Sequence, residues 1–241
     1  MDTQLKKTAL NELPGSTGEP LAGHIVVIGG HPNPESYGEA LLSRYVAAAE
    51  SAGATVHVHR VSQMQFDPVL HHGYAKIQPL EPDLRTLQRD IERAAHVAVF
   101  TPLWWGGVPA GLKGLFDRAF LPQWAFRVPD SGLPIRLLKG RSARMVLTMD
   151  SPRWWYWGMY RGSAHGALVQ ATLKFVGLKP VKITPLYGVG HATATQRQRW
   201  LAKLEAIGKQ DAARARATGR RLQATDDADQ VTPAALKAPR T

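Results

Sequence analysis

A doubly wound α/β domain is the fold predicted for residues 23–207 of this 241-residue chain, with five parallel strands in the order 2-1-3-4-5 and helices on both faces. Five β-rich runs alternate with patterns of helical period, which is the signature of strand–helix units rather than of hairpins. The first and third runs, HIVVIG at 24–29 and VAVF at 97–100, are apolar at successive positions, as strands covered on both faces require. The residues after the first strand are Gly29-Gly30-His31-Pro32, so the G-x-G-x-x-G of a dinucleotide-type half is missing.

Taken in order, residues 1–22 have little periodicity and a Pro/Gly/Ser/Thr cluster between Pro14 and Pro20, and read as a flexible extension. After the first strand, Asn33 and Pro34 read as the cap and first residue of a helix. Leu41, Tyr45, Ala48 and Ala52 carry that helix to a stop at Gly53. Thr55 to Val61 reads as the second strand. Its His57 and His59 alternate but lack a third ligand at useful spacing, so they read as side chains of a peripheral strand; His71 and His72 read as a solvated loop pair, and no metal site is expected. Leu84, Leu87, Ile91 and Ala95 form the apolar stripe of a helix over residues 82–95. Residues 121–138 read as irregular, and residues 142–150 as the fourth strand. Residues 151–161 read as a Trp-rich loop. Ser163 is expected to cap a helix that turns Leu168, Thr172, Phe175 and Val176 inward until Gly177. After a fifth strand over residues 181–186, Thr193 and Gln196 form a capping box for a last helix packed through Trp200, Leu204 and Ile207. Residues 208–241 read as a basic, largely disordered extension, helical at first.

Composition removes several function classes. There is no Cys, which excludes disulfides, thiolate nucleophiles and cysteine-held metal or iron–sulfur centres. No apolar run approaches the ~18 residues of a membrane span, and no secretory layout opens the chain, so a cytoplasmic protein is expected. The net charge of +11 favours anionic ligands such as nucleotide phosphates. The basic residues are scattered and form no nucleic-acid reading motif.

Two turns carry the chemistry. Residues 31–37, HPNPESY, precede a helix whose free N–H groups and positive dipole end favour a phosphate. Residues 101–107, TPLWWGG, place two glycines for close backbone approach beside two tryptophans that can wall a flat ligand. In the order 2-1-3-4-5 these turns flank the topological switch point, where such folds bind FMN. Pro109 suits the first turn of the next helix, which carries Leu112, Leu115, Phe116 and Ala119. Six of the seven tryptophans lie between positions 104 and 157, more apolar loop area than solvent tolerates uncovered.

The segment TPLWWGGVPAGLKGLFDRAF at 101–120 resembles the flavin-contacting stretch of the flavodoxin-like NAD(P)H:quinone oxidoreductases, P-L-x-W-x-G-x-P-A-x-L-K-G-x-x-D/E-R. The resemblance extends over about residues 24–207, including Met64 to Leu70, similar to the family's F-D/N-P segment. It implies a flavin at the C-terminal edge of the sheet, FMN or FAD with FMN favoured. It also implies NAD(P)H as donor, quinones or similar aromatic molecules as acceptors, and a homodimer with sites at the subunit boundary. His31, Ser36 and Tyr37 match the phosphate-side residues by type. Pro102, Leu103, Trp104, Trp105, Gly106 and Gly107 match the ring-lining segment. Where the family commonly has T-T-G-G, this chain has Thr148-Met149-Asp150-Ser151. Amides near Met149 and Asp150 would then face the ring, with the Asp150 carboxylate turned away. The family's Tyr and His donors to the acceptor are sought in Tyr156, Tyr160 and His165. Trp105 and the aromatic residues of 154–160 are expected to wall one flat slot, too small for donor and acceptor at once, so ping-pong electron transfer is expected. A flavin-bound regulatory subunit or electron carrier serving a protein partner, like the potassium-efflux ancillary proteins of the superfamily, is the alternative.

Overall fold

The computed structural model describes residues 21–129 and 132–230, with side chains as far as Gly219. The chain runs β1 (Leu21–Gly29), α1 (Tyr37–Ser51), β2 (Thr55–Arg60), α2 (Pro82–Arg93), β3 (Ala94–Pro102) and α3 (Ala110–Ala119). It continues with a short hairpin of β4 (Phe126–Arg127) and β5 (Ile135–Arg136), then β6 (Ser142–Met149), α4 (Arg153–Gly158) and a π-helix (His165–Leu173). It finishes with β7 (Val181–Tyr187), a 3-10 turn (Val189–His191) and α5 (Ala194–Gln230). The main sheet has the order β2-β1-β3-β6-β7, every pair parallel, which is the predicted 2-1-3-4-5 once the small hairpin is set aside.

Strand periodicity divides the core. Val26, Ile28, Val97 and Val99 face one layer with Leu84, Leu87 and Ile91 of α2, Leu112, Leu115 and Phe116 of α3, and the π-helix. Ile25, Val27, Ala98 and Phe100 face the other, against Leu41, Leu42 and Tyr45 of α1 and Leu204 of α5. β3 lies between β1 and β6 and is buried at all nine residues, which explains its uninterrupted apolar run.

Several boundaries differ from expectation. β1 starts at Leu21, within the expected extension; residues 1–20 lie outside the described residues. α1 is capped by Ser36, whose Oγ accepts the Glu39 N–H, because the Asn33 side chain is already used in a local turn, accepting from Glu35 N–H at 2.9 Å. Pro109 is the cap of α3 rather than its first residue. The Trp-rich run is helical over α4, not a loop. Ser163 does not cap the next helix, and Leu173 rather than Thr172 is buried, because the segment winds with the wider π period: Lys174 N–H bonds the Val169 carbonyl at 2.9 Å.

The largest difference is at the C-terminal end. Gly208 does not stop the final helix; α5 passes through it to Gln230, and residues 231–241 lie outside the described residues. Glycine is needed there for close approach, since a Cβ would sit 2.5 Å from the Tyr45 carbonyl oxygen. Beyond it Asp211, Ala212 and Ala215 are buried, so the domain continues past residue 207.

Asp211 is why this extension holds. Its carboxylate receives Nε and, at 2.8 Å, Nη2 of Arg144 on β6, and the Tyr45 hydroxyl at 3.2 Å. His96 Nε2 lies 3.4 Å away, and Arg144 Nη1 donates to Thr184 at 3.0 Å. Burial by itself would raise the Asp211 pKa, but the Arg144 and His96 hydrogen bonds outweigh it and hold the carboxyl far below its ordinary range. A depressed carboxylate stabilises the fold above the unfolded-state pKa of about 3.9 and loses that contribution as pH falls below it. Asp211→Ala should therefore lower unfolding free energy by about 3–5 kcal/mol at pH 7, because it strands a buried guanidinium. In urea titrations repeated down the pH scale, the gap from the parent should narrow below about pH 4. A gap independent of pH would contradict this account.

Candidate functional site

The strand ends converge at one edge. Gly30 N–H extends the sheet by bonding the Phe100 carbonyl at 2.8 Å, and Leu103 N–H bonds the Thr148 carbonyl at 2.8 Å. The turns after β1, β3 and β6 therefore leave the sheet side by side. Between them opens a cavity of about 170 Å³ lined by His31, Ser36, Tyr37, Gly38, Pro102, Leu103, Trp104, Thr148, Met149, Asp150 and Val189. Eight of these were singled out from sequence. Gly38, Thr148 and Val189 were not.

The α1 side of the cavity is a set of donors. The first-turn amides of Tyr37 and Gly38 have no carbonyl one turn earlier to bond. Ser36 Oγ already accepts from Glu39 N–H at 3.2 Å, so its proton is left to donate. His31 Nδ1 accepts from Asn33 N–H at 2.9 Å, and burial holds the imidazole below its ordinary pKa. The ring is thus neutral at pH 7 with its proton on Nε2, one more donor. Its edge meets Trp104, ring centroids 5.4 Å apart. Such a set fits a phosphate or another oxyanion.

Arg197 of α5 is a residue that sequence reasoning missed. Its guanidinium lies 5.0 Å over the Tyr37 ring, and the Tyr37 hydroxyl donates to the Arg197 carbonyl at 2.8 Å. This ties α5 to the cavity wall. The only sequence signal was a basic residue one turn into a capped helix, which by itself says nothing of Tyr37. The cap itself is present, with Gln196 N–H on Thr193 Oγ1 at 3.2 Å.

The β3 side is a tight turn. Trp104 and Gly107 exchange backbone hydrogen bonds of 3.0 and 2.8 Å, and the central residues Trp105 and Gly106 have φ of 52° and 73°. Both are left-handed, the geometry of a type I′ turn, which glycine accepts freely and tryptophan does not. The Ser163 hydroxyl donates to the Gly106 carbonyl, and the Tyr160 ring lies against Gly106. The Trp105 side chain stands free at the tip, fully exposed.

From β6, Met149 and Asp150 complete the wall. Asp150 lines the cavity, but its carboxylate is engaged by the Gly190 N–H. A Cβ at Gly190 would come within 2.8 Å of Asp150 Oδ1, so a side chain there would have to displace the carboxylate.

The remaining candidates are not on the cavity wall. Tyr156 is buried in the core, its hydroxyl accepting the His165 N–H at 3.2 Å, because its position on α4 faces the π-helix rather than the strand ends. Burial raises its phenol pKa. His165 starts the π-helix, its ring 5.9 Å from that of Trp157 and its Nε2 3.2 Å from Gln170 Nε2. Trp154, Trp155 and Trp157 of α4 and Met159 just after it stay exposed. At the β2 edge, His59 pairs with Asp90 at 2.8 Å, and His57 lies 3.8 Å from the same oxygen. Among the described residues no group of three His, Asp or Glu is placed to hold a metal ion.

Comparison with known proteins bears on this arrangement. The chain is 26% identical over 189 residues to an uncharacterized NAD(P)H oxidoreductase of Haemophilus influenzae, covering 76% of this chain and 92% of that protein. It is 28% identical over 129 residues to an FMN-dependent NADH:quinone oxidoreductase of Bradyrhizobium diazoefficiens, covering 53% and 58%. The structure of the NAD(P)H:quinone oxidoreductase from Methanothermobacter marburgensis superposes with a TM-score of 0.69 at 23% identity, over 78% of this chain and 98% of that one, a likeness of fold. The profile of the flavodoxin-like fold family matches residues 23–208. The cavity at the switch point, its helix N-terminus and its tryptophan turn are thus set in a known framework: the chain belongs to the flavodoxin-like fold family.

Proposed function

We propose that this protein is a flavin-dependent oxidoreductase that carries two electrons from NADH or NADPH to a quinone or similar aromatic acceptor. The observation that carries the reading is the single cavity joining a donor-rich helix start to an aromatic turn and the end of β6. FMN is the flavin we assign, a choice supported by the Bradyrhizobium relative, whose name includes it. Ser36, His31 and the first-turn amides of α1 would hold the phosphate. Pro102 to Gly107 and the backbone at Met149 and Asp150 would hold the ring. When bound, a flavin accepts hydride from a reduced nicotinamide and returns two electrons to an oxidised acceptor.

This chain's own part is to bind, orient and exclude water. The Trp104–Gly107 hydrogen bonds keep the turn rigid, and Ser163 fixes it from the opposite segment. Gly190 restrains the Asp150 carboxylate, which would otherwise oppose negative charge at the ring. Trp105 and the α4 tryptophans would wall one slot, used in turn by donor and acceptor. Of the residues expected to meet the acceptor, Tyr160 and His165 lie toward the tryptophan face, while Tyr156 supports it from within. The exposed α4 face fits burial against a second copy of the chain, giving a homodimer with the slot at its boundary. A cytoplasmic setting, rich in reduced nicotinamides, suits this reading. Among the described residues no helix is long and apolar enough to cross a membrane.

The purified protein should be yellow, and His31→Ala combined with Ser36→Ala should lower flavin affinity at least tenfold, since each hydrogen bond to a charged group contributes about 1.5–3 kcal/mol. Protein that takes up neither FMN nor FAD on reconstitution would end the proposal. Initial-rate measurements should give parallel double-reciprocal lines, and Trp105→Ala should impair turnover with both substrates. Intersecting lines would sink the shared slot, and one-electron flavin accumulating in turnover would point to a carrier. Light scattering should report a dimer at micromolar concentration; a monomer with residues 154–160 open to protease would remove the subunit-boundary site.

A further inference from the structure

Glu39 sets a carboxylate beside the donors at the start of α1. Ser36 and Glu39 have capping-box spacing, at which the acid normally reaches back to the cap residue's N–H. Here the Ser36 N–H bonds the Asn33 carbonyl at 3.3 Å instead. The Glu39 carboxylate turns to Arg60, the last residue of β2, whose Nε and Nη2 both reach Oε1 at 2.7 Å. The Ser43 hydroxyl adds a bond of 3.3 Å to the same oxygen. The pair is mostly withdrawn from water, with side-chain exposures of 26% for Arg60 and 19% for Glu39. Glu39 also lines a smaller pocket with Gly29, Leu41 and Phe100, which shares His31, Gly38, Pro102 and Thr148 with the main cavity.

An unpaired carboxylate in the first turn of α1, weakly screened by solvent, would repel any anion held by that turn. We propose that Arg60, which is not on the wall of the main cavity, is a positioning residue for the anionic end of the cofactor. It cancels the Glu39 charge and holds that side chain against β2. The assignment rests on the reading that a flavin phosphate sits at the α1 N-terminus. Binding of a flavin without a phosphate should be indifferent to the pair, and binding of one with a phosphate should depend on it.

The test is titration of FMN and of riboflavin into the protein after flavin removal, read by quenching of flavin fluorescence. Arg60→Gln should weaken FMN about tenfold and leave riboflavin within about twofold, as an uncancelled neighbouring charge predicts. Arg60→Lys should keep most of the FMN affinity, and Glu39→Gln added to Arg60→Gln should restore it. Equal loss of FMN and riboflavin in Arg60→Gln, or a double variant as weak as the single, would overturn the proposal and leave Arg60 a structural residue. If Arg60→Gln does not fold, Glu39→Gln alone decides: FMN affinity equal to the parent's or tighter supports the inference, and FMN weakened more than riboflavin refutes it. A parent protein that binds neither flavin would refute the phosphate site itself, a result distinct from failure of the pair.

Discussion

The structure depends on the reversal of strand order between β1 and β3. The chain leaves β1 for the edge strand β2, then crosses back over β1 to lay down β3. Right-handed crossovers in opposite directions send the following helices to opposite faces. α1 packs in the layer of Leu41, Leu42 and Tyr45, and α3 in the layer of Leu112, Leu115 and Phe116. Among the described residues no helix is laid over the strand ends between them, so the crevice follows from topology before any side chain is chosen. The side chains decide only what it can hold.

The interior charges are arranged to leave that crevice alone. Arg144, Asp211, His96, Tyr45 and Thr184 satisfy one another in the layer of α1 and α5, so α5 is clamped to the sheet by a paired network. Arg118, fully buried on α3, holds residues 67–81 through the Asp67 and Pro79 carbonyls and Glu81. Of the acids that line the two adjoining pockets, Asp150 is held by a backbone amide and Glu39 by a guanidinium. The donors of the α1 start are left over. A group of donors left at a helix start, beside acids that are already held, favours an anion there.

The aromatic edge has a different physical character. Trp105 occupies a left-handed backbone position and gives its whole side chain to solvent, two costs that local structure does not repay. Arg161 and Gly162, with φ of 48° and 61°, bend the chain next to the segment that buttresses the turn.

Much of this was legible in sequence. Uninterrupted apolar runs at 24–29 and 97–100 determine buried parallel strands, because only a strand covered on both faces tolerates them. The residues HPNPESY and TPLWWGG determine a donor-rich helix start and an aromatic turn, since their backbone requirements are local. Tertiary structure alone decided the remainder. Gly208 reads as a stop, yet the helix continues because α1 lies too close for a side chain and Asp211 finds Arg144 across 67 residues of chain. Tyr156 and Tyr160 are equivalent in sequence, and packing against the π-helix sends one to the core and leaves the other beside Gly106. Arg197 reaches Tyr37 across 160 residues. Periodicity and capping are written within a few neighbouring residues, whereas which buried charge meets which partner is settled only when the layers close.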